Sequence, residues 1–160
     1  MSIVFDIGFE EPGNSDWIRN ELTQSWGSPF IVIDGEVIDS LKQRCLVARP
    51  QSGLLVFRER PDDGIEVIAL EAFAPGIGIG RALLDYLVES SGRQDKKYVS
   101  ATTTNDNLDA IRFYQRYGFR LYQLRVGAVD HARAKLKPEI PTTGNDGIRI
   151  RDEIELRYTL

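Results

Sequence analysis

Ile65-Glu66-Val67-Ile68-Ala69-Leu70-Glu71-Ala72-Phe73-Ala74-Pro75-Gly76-Ile77-Gly78-Ile79-Gly80-Arg81-Ala82-Leu83-Leu84 changes its periodicity halfway along. Ile65–Leu70 is apolar except for Glu66, the pattern of a central strand buried on both faces. From Ile79 onward, Ile79, Leu83, Tyr86 and Leu87 recur at helical spacing, and a helix ending before Gly92 is expected. Between the two lies a turn with glycines at 76, 78 and 80. Alternating glycines let the backbone approach a ligand closely, and the start of a helix offers free N–H groups with a partial positive charge. Such a turn suits a phosphate or diphosphate. A P-loop would need Gly-Lys-Ser/Thr, but Arg81 and Ala82 follow the last glycine. A dinucleotide fingerprint would need a third glycine where Arg81 or Leu83 stands. Both templates fail. The bland alternative is a tight strand-to-helix turn, for which one glycine would suffice.

Working outward, the upstream half reads as a helix from Ser15 or Asp16 to about Trp26, followed by consecutive hairpin-linked strands. These are Phe30–Ile33 and Val37–Ile38 around Asp34-Gly35, then Arg44–Arg49 and Gly53–Glu59. Residues 1–14 end in a turn cluster and carry no clear pattern. Downstream, Tyr98–Thr102 is a short strand, and Asn105-Asp106-Asn107 opens a helix with the apolar stripe Ala110, Phe113, Tyr114, Tyr117. Gly118 stops it. Phe119–Val126 is a strand, Asp130–Leu136 one or two helical turns, 138–147 a loop, and Ile148–Leu160 a closing strand. The β-α-β crossover in the middle demands one parallel pair in an otherwise antiparallel sheet, so the sheet should be mixed.

Composition narrows the function classes. The 160 residues are 42% hydrophobic and 28% charged, which suits one globular domain spanning 1–160. A net charge of −4 with scattered basic residues argues against a nucleic-acid partner or a membrane anchor. One cysteine (Cys45) excludes an internal disulfide, and one histidine (His131) beside it cannot build a Cys/His zinc site, so no metal is expected. No Gly-x-Ser-x-Gly occurs. The first residues look like no signal peptide and no apolar run is long enough to span a bilayer, so a cytoplasmic protein is expected.

Two motifs in order carry a family resemblance. Ile65–Leu84 resembles the central motif of the GCN5-related N-acetyltransferases (GNATs). That motif is a strand ending in Leu-Ala-Val or similar, then Gln/Arg-x-x-Gly-x-Gly/Ala opening a helix; here the strand end is Ile68-Ala69-Leu70 and the glycines are Gly78 and Gly80. Pro75 departs from the pattern, standing where the family has Gln or Arg. Asn107-Leu-Asp-Ala110-Ile-Arg-Phe-Tyr114-Gln-Arg-Tyr-Gly118-Phe119 is similar to the family's Asn-x-x-Ala-x-x-x-Tyr-x-x-x-Gly-Phe. The resemblance implies an α/β fold with a mixed, mostly antiparallel sheet of about seven strands, a splayed central parallel pair and flanking helices. It implies acetyl transfer from acetyl-coenzyme A to a primary amine, on a small molecule or a protein, directly in a ternary complex. It also admits a homodimer.

Carried onto this chain, the resemblance gives the diphosphate to the amides of Ile77, Gly78, Ile79, Gly80 and Arg81. The pantetheine arm falls to the main chain at Leu70 and Ala72 and to Asn107. Tyr114 is at the position that protonates the departing thiolate, although an aromatic on this stripe also suits core packing, and Asn107 also suits a helix cap. Glu66 is the candidate base, being the lone charge in a buried strand; a strand-edge glutamate facing solvent is the alternative, and Glu71 a second candidate. Cys45 reads as a buried thiol, His131 as surface, and Arg149–Glu153 as a solvated turn. The 127–147 segment could line the acceptor pocket or a dimer contact. A non-catalytic acyl-coenzyme A binding module on the same fold is the rival reading.

Overall fold

A computed structural model describes residues 4–74 and 76–160. In chain order it contains β1 (Asp6–Glu10), α1 (Asp16–Trp26), β2 (Phe30–Ile33), β3 (Glu36–Asp39), β4 (Arg44–Arg49), β5 (Gly53–Glu59) and β6 (Gly64–Ala72). There follow α2 (Ile79–Arg93), β7 (Tyr98–Thr104), α3 (Leu108–Tyr117), β8 (Arg120–Arg125), α4 (Ala128–Lys135) and β9 (Glu153–Thr159). Seven strands form one sheet in the order β1-β4-β5-β6-β7-β9-β8, with β6 at its centre and β6–β7 its parallel pair. The expected mixed sheet with flanking helices is present. The β2–β3 hairpin forms a separate two-stranded ribbon.

The sheet buries both faces, as the apolar run in β6 requires. One face carries Leu46, Leu55, Ile65, Val67 and Val99 against Leu83, Leu84 and Leu87 of α2 and Tyr114 of α3. The other carries Val47, Leu54, Val56, Ile68 and Ala69 against Ile18 and Leu22 of α1 and the β2–β3 isoleucines. Ile68 and Ala69 are consecutive yet face the same way. The β5–β6 register explains this: Val56 pairs with Ala69 and Phe57 with Val67, so Ile68 is the extra residue of a bulge. Directly beyond it β6 loses its parallel neighbour. Pairing with β7 runs from Gly64↔Tyr98 to Val67↔Ala101 and stops, although β6 continues to Ala72 and β7 to Thr104. A gap therefore opens between the C-terminal ends of the two strands.

Several boundaries differ from the sequence expectation. β1 pairs with β4 where no element was legible: its centre is Gly8, which has no side chain to mark a face and leaves room for the Arg49 guanidinium. α2 runs through Gly92 to Arg93, since the packing of Leu87 and Ser91 outweighs the cost of an interior glycine, about 1 kcal/mol. β9 begins at Glu153, not Ile148, because the preceding amides bond elsewhere. Ile150 donates to Thr142 O, and Arg151 and Asp152 donate to Asn105 Oδ1. Asn105 thus braces that segment, and Asn107 alone caps α3. Among the described residues no helix is long and apolar enough to cross a membrane.

At the start of the parallel pair a Cβ on Gly64 would strike the Tyr98 ring. Gly64→Val should cost about 1–3 kcal/mol through overpacking. Urea unfolding would read the loss, and an unchanged midpoint would mean that the β6–β7 pairing tolerates being spread at its root.

Candidate active site

The gap is lined by main chain. Phe73 N–H donates to Ser52 O on the β5 side of β6. Successive amides of a strand alternate sides, so the N–H groups of Ala72 and Leu70 face the gap. Tyr114 is buried in the same core cluster as Val67 and Ala101, the last pair of the parallel ladder, with Leu70 packed against that cluster. The Tyr114 ring rests on Phe113 and Phe119, with centroids 5.3 and 5.1 Å away. Its hydroxyl has no hydrogen bond within the described residues, and burial pushes the phenol above its ordinary pKa. A phenol held that way keeps its proton at neutral pH and can give it to a strong base.

The glycine-rich turn sits beside the gap. Gly76 and Gly78 have φ of +84° and +89°, left-handed values that favour glycine, and a Cβ on either would point into open space. Gly78 caps α2, with Ala82 N–H making the first intrahelical bond to its carbonyl at 3.0 Å. The amides of Ile79, Gly80 and Arg81 therefore have no partner in the helix, and no acidic side chain occupies the first turn. Ile79 plugs the core while Ile77 is exposed. Gly80 has a different reason: a Cβ there would lie 3.3 Å from Phe113, so glycine lets α2 and α3 close together. Pro75, the position that departs from the family pattern, lies outside the described residues.

Around this turn the structure adds cations that the sequence reading passed over. Arg81 lies 5.1 Å from the Tyr117 ring centroid. Together with Arg112, Arg116 and Phe113 it lines a cavity of about 290 Å³. The signal was available as arginines four apart on α3, on the side away from its apolar stripe. Asn107 caps α3, its Oδ1 accepting from Ala110 N–H at 3.1 Å, which leaves its Nδ2 as a donor.

The two candidate carboxylates differ in their surroundings. Glu66 is buried, and its Oε2 accepts from Arg58 Nε at 2.6 Å and from Arg60 at 3.4 Å. Arg58 in turn grips Glu36 with two 2.8 Å bonds. The Arg58 hydrogen bonds hold the Glu36 carboxyl below the usual range, burial notwithstanding. Glu66 is thus an interior ion-paired group, not a solvent-facing edge residue, although Oε1 takes no hydrogen bond from the described residues. Glu71, at the open end of the gap, is raised above its ordinary value by burial and by nearby Glu21, with Ser25 and Trp26 partly offsetting this. Its Oε1 is buried without a hydrogen-bond partner among the described residues.

The remaining single residues fall into place. Cys45 is buried, and desolvation pushes its thiol up to about 12, so it is inert as a nucleophile. His131 is exposed on α4. The Arg149–Glu153 stretch needs correction: Arg149 and Arg151 are exposed, but Glu153 is buried, bonded to Arg125 Nε at 2.9 Å and to the Asp34 amide. The 127–150 segment walls a second cavity of about 620 Å³, bounded also by the end of α1, β2 and the Thr104–Asn107 corner.

The gap and the helix start beside it are built from the first of the two sequence motifs, and the second motif forms α3. Residues 9–119 match the model of the "Acetyltransferase (GNAT) family". The chain belongs to the GNAT acetyltransferases. It is similar to YxbD, an uncharacterised protein of Bacillus subtilis (strain 168), at 39% identity over 147 residues, covering 88% of this chain and 90% of YxbD. Its fold is shared with a structure described as an IAA acetyltransferase from Bacillus cereus, with a TM-score of 0.76, 19% identity, and coverage of 98% of this chain and all of that one. A GNAT acetyltransferase from Elizabethkingia anophelis, solved with acetyl-CoA bound, aligns with a TM-score of 0.71 at 17% identity, covering 98% of each chain.

Arg58→Ala would leave Glu66 buried without its main partner and is expected to cost about 3 kcal/mol. The double variant Arg58→Met with Glu66→Leu should cost less than the single one, because no charge is then stranded. Urea midpoints compare them, and a double variant weaker than Arg58→Ala would contradict the ion-pair account.

Proposed function

We propose that the protein transfers an acetyl group from acetyl-coenzyme A to a primary amine, directly and within a ternary complex. The observation that carries this reading is the unpaired edge of β6. The amides of Leu70 and Ala72 face a gap that opens beyond Val67 and Ala101, whose buried cluster also holds Tyr114, and α2 starts just after the end of β6.

The residues present fit the coenzyme. The amides of Ile77, Gly78, Ile79, Gly80 and Arg81 suit a diphosphate, since open space lies over Gly76 and Gly78 and the helix start is electropositive. Arg81, Arg112 and Arg116 suit the coenzyme's further phosphate. Leu70 and Ala72 suit an extended amide-bearing arm laid against β6 as an added strand, and the Asn107 Nδ2 can donate to it. Bound there, acetyl-coenzyme A supplies the acetyl group as an activated thioester.

The Leu70 N–H then donates to the acetyl carbonyl where negative charge grows, and Tyr114 holds its proton until the sulfur departs. The amine nitrogen forms the C–N bond as the C–S bond breaks and the electron pair leaves with sulfur. Of the two protons the ammonium gives up, one is balanced by the proton Tyr114 delivers to sulfur, and the other reaches solvent. The carboxylate that first accepts it is one of two on β6. Glu66 stands one residue before Val67, the last residue of β6 paired with β7, with Oε1 unengaged among the described residues, and Glu71 stands at the open end.

Free-thiol release with acetyl-coenzyme A and a panel of amines tests the reading. Tyr114→Phe should lower kcat about 10²-fold while leaving the KM for acetyl-coenzyme A nearly unchanged. Gly78→Leu should raise that KM, with a smaller effect on stability. If acetyl-coenzyme A raises Tm but no amine gives thiol, the protein is instead a non-catalytic acyl-coenzyme A binding module. No shift in Tm at millimolar coenzyme would sink both readings.

A further inference from the structure

We infer that the cavity between the end of α1, β2 and the 137–150 segment is the acceptor pocket. Its substrate is a small primary amine with one positive charge and an apolar, ring-sized body, and Glu71 accepts that amine's surplus proton. The inference deepens the acetyl-transfer reading and rests on it.

Position comes first. The cavity reaches Thr104 and Asn107, the corner where β7 has parted from β6 and α3 begins. An amine held inside therefore approaches the same gap that Leu70 and Ala72 edge from β6. Glu71 does not itself line the cavity, but Ser25 and Trp26, which do, lie beside its carboxyl at the end of α1. Its volume of about 620 Å³ falls within the range of small-molecule sites, roughly 300–1,000 Å³.

The chemistry of the walls selects the substrate. Trp26, Ile31, Val129, Ala132 and Ile150 present an apolar lining. Three of the four charged groups in that lining are already engaged. Glu153 is held by Arg125 and the Asp34 amide, and Asp106 accepts from Thr104 Oγ1 and Asn145 N–H. Lys137 Nζ donates to Trp26 O at 2.6 Å and Phe30 O at 2.7 Å. Glu139, at the exposed rim, remains to attract a cation but cannot pair several. A polycation would bury positive charge against an apolar wall without partners, which is costly. A monoamine with a ring-sized body instead covers the wall and keeps its ammonium for Glu71. That carboxyl has a buried oxygen with no donor among the described residues, and an ammonium supplies one. It takes one proton from R-NH3+, leaving the neutral amine whose lone pair forms the C–N bond.

The roof of the pocket is built in. Lys137 ties it to the α1–β2 corner, Asn145 ties it to Asp106, and Arg133 donates to the carbonyls of Ile140, Pro141 and Ile150. A fixed roof suits an enclosed small molecule better than a passing peptide.

Thiol release with phenethylamine, spermidine and a lysine-containing peptide tests the class. Phenethylamine is expected to have the highest kcat/KM, by about tenfold or more. Trp26→Ala should raise its KM about tenfold while the KM for acetyl-coenzyme A stays put. Glu71→Gln should lower kcat and abolish the acid limb of the pH–rate profile, with calorimetric binding of acetyl-coenzyme A unchanged.

A second readout needs no turnover. The charged group facing Glu71 is Glu21 on α1, and both it and burial raise the Glu71 pKa. A raised carboxyl adds stability below its unfolded value of about 4.3 and loses it as pH rises through the folded value. Glu71→Gln should therefore raise Tm at neutral pH, and the gain should vanish in acid below about pH 4.

Preference for spermidine or the peptide, a Trp26→Ala variant with unchanged amine KM, or an intact acid limb in Glu71→Gln overturns the inference while acetyl transfer stands. No thiol from any amine, or no coenzyme-induced shift in Tm, removes the acetyl-transfer reading and this inference with it.

Discussion

The site depends on a sheet that comes apart on one side only. β6 keeps its antiparallel partner β5 along its whole length but loses the parallel partner β7 after Val67. A strand half-released in this way would ordinarily leave polar main chain stranded in an apolar interior. Two features prevent that from unravelling the core. The bulge at Ile68 turns two consecutive apolar side chains onto the α1 face, so burial continues where pairing does not. On the other face, α2 and α3 pack tightly enough for Phe113 to approach Gly80, and Tyr114 is buried in the same cluster as Val67 and Ala101. The open edge is therefore packed on both faces, with the Leu70 and Ala72 amides turned toward the gap.

Charge is arranged around that gap in two distinct ways. Beside the α2 start the cations are exposed: Arg112 pairs with Asp109 at 3.1 Å, whereas the first turn of α2 holds no carboxylate, which suits an anionic ligand arriving from solvent. On the α1 face the charges are paired and interior: Glu66 with Arg58 and Arg60, and Arg125 with Glu153 and Glu155. Pairs of that kind contribute more to holding a single arrangement than to raw stability. Glu71 belongs to neither group, and its buried oxygen, without a hydrogen-bond partner among the described residues, separates it from Glu66, the other carboxylate of β6.

The elements legible in the sequence were those with strong, local patterns. Ile65–Leu70 reads as a buried strand because its neighbours on both sides are apolar layers, and the Ala110-Phe113-Tyr114-Tyr117 stripe reads as a helix because it packs on one side only. Gly78 and Gly80 looked equivalent, yet one answers to a left-handed φ and the other to the approach of Phe113. What escaped was tertiary. Nothing local in Asp6–Glu10 marks it as an edge strand, since its pairing with β4 spans some forty residues of chain. The burial of Glu66 was visible in its apolar neighbours, but Arg58 as its clamp was not, because the pairing register of β5 and β6 brings them together. Likewise Lys137 meets the α1–β2 corner across more than a hundred residues, so the enclosure it completes could not be read from either segment alone.

The edge of β6 is made of amide groups that every residue except proline carries, which frees this part of the machinery from the identity of its side chains. Leu70 and Ala72 could be exchanged for other strand formers with the hydrogen-bonding lattice intact. The enclosure formed by Trp26, Ile31 and Ile150 has no such immunity, because its shape is written in side-chain volume. On the proposed acetyl-transfer reading, divergence should then fall unevenly across the molecule, altering what is received at one mouth of the gap while the donor end persists. A lineage built on this scaffold would then acquire new acceptors through a few substitutions around a single chamber, without rebuilding β6.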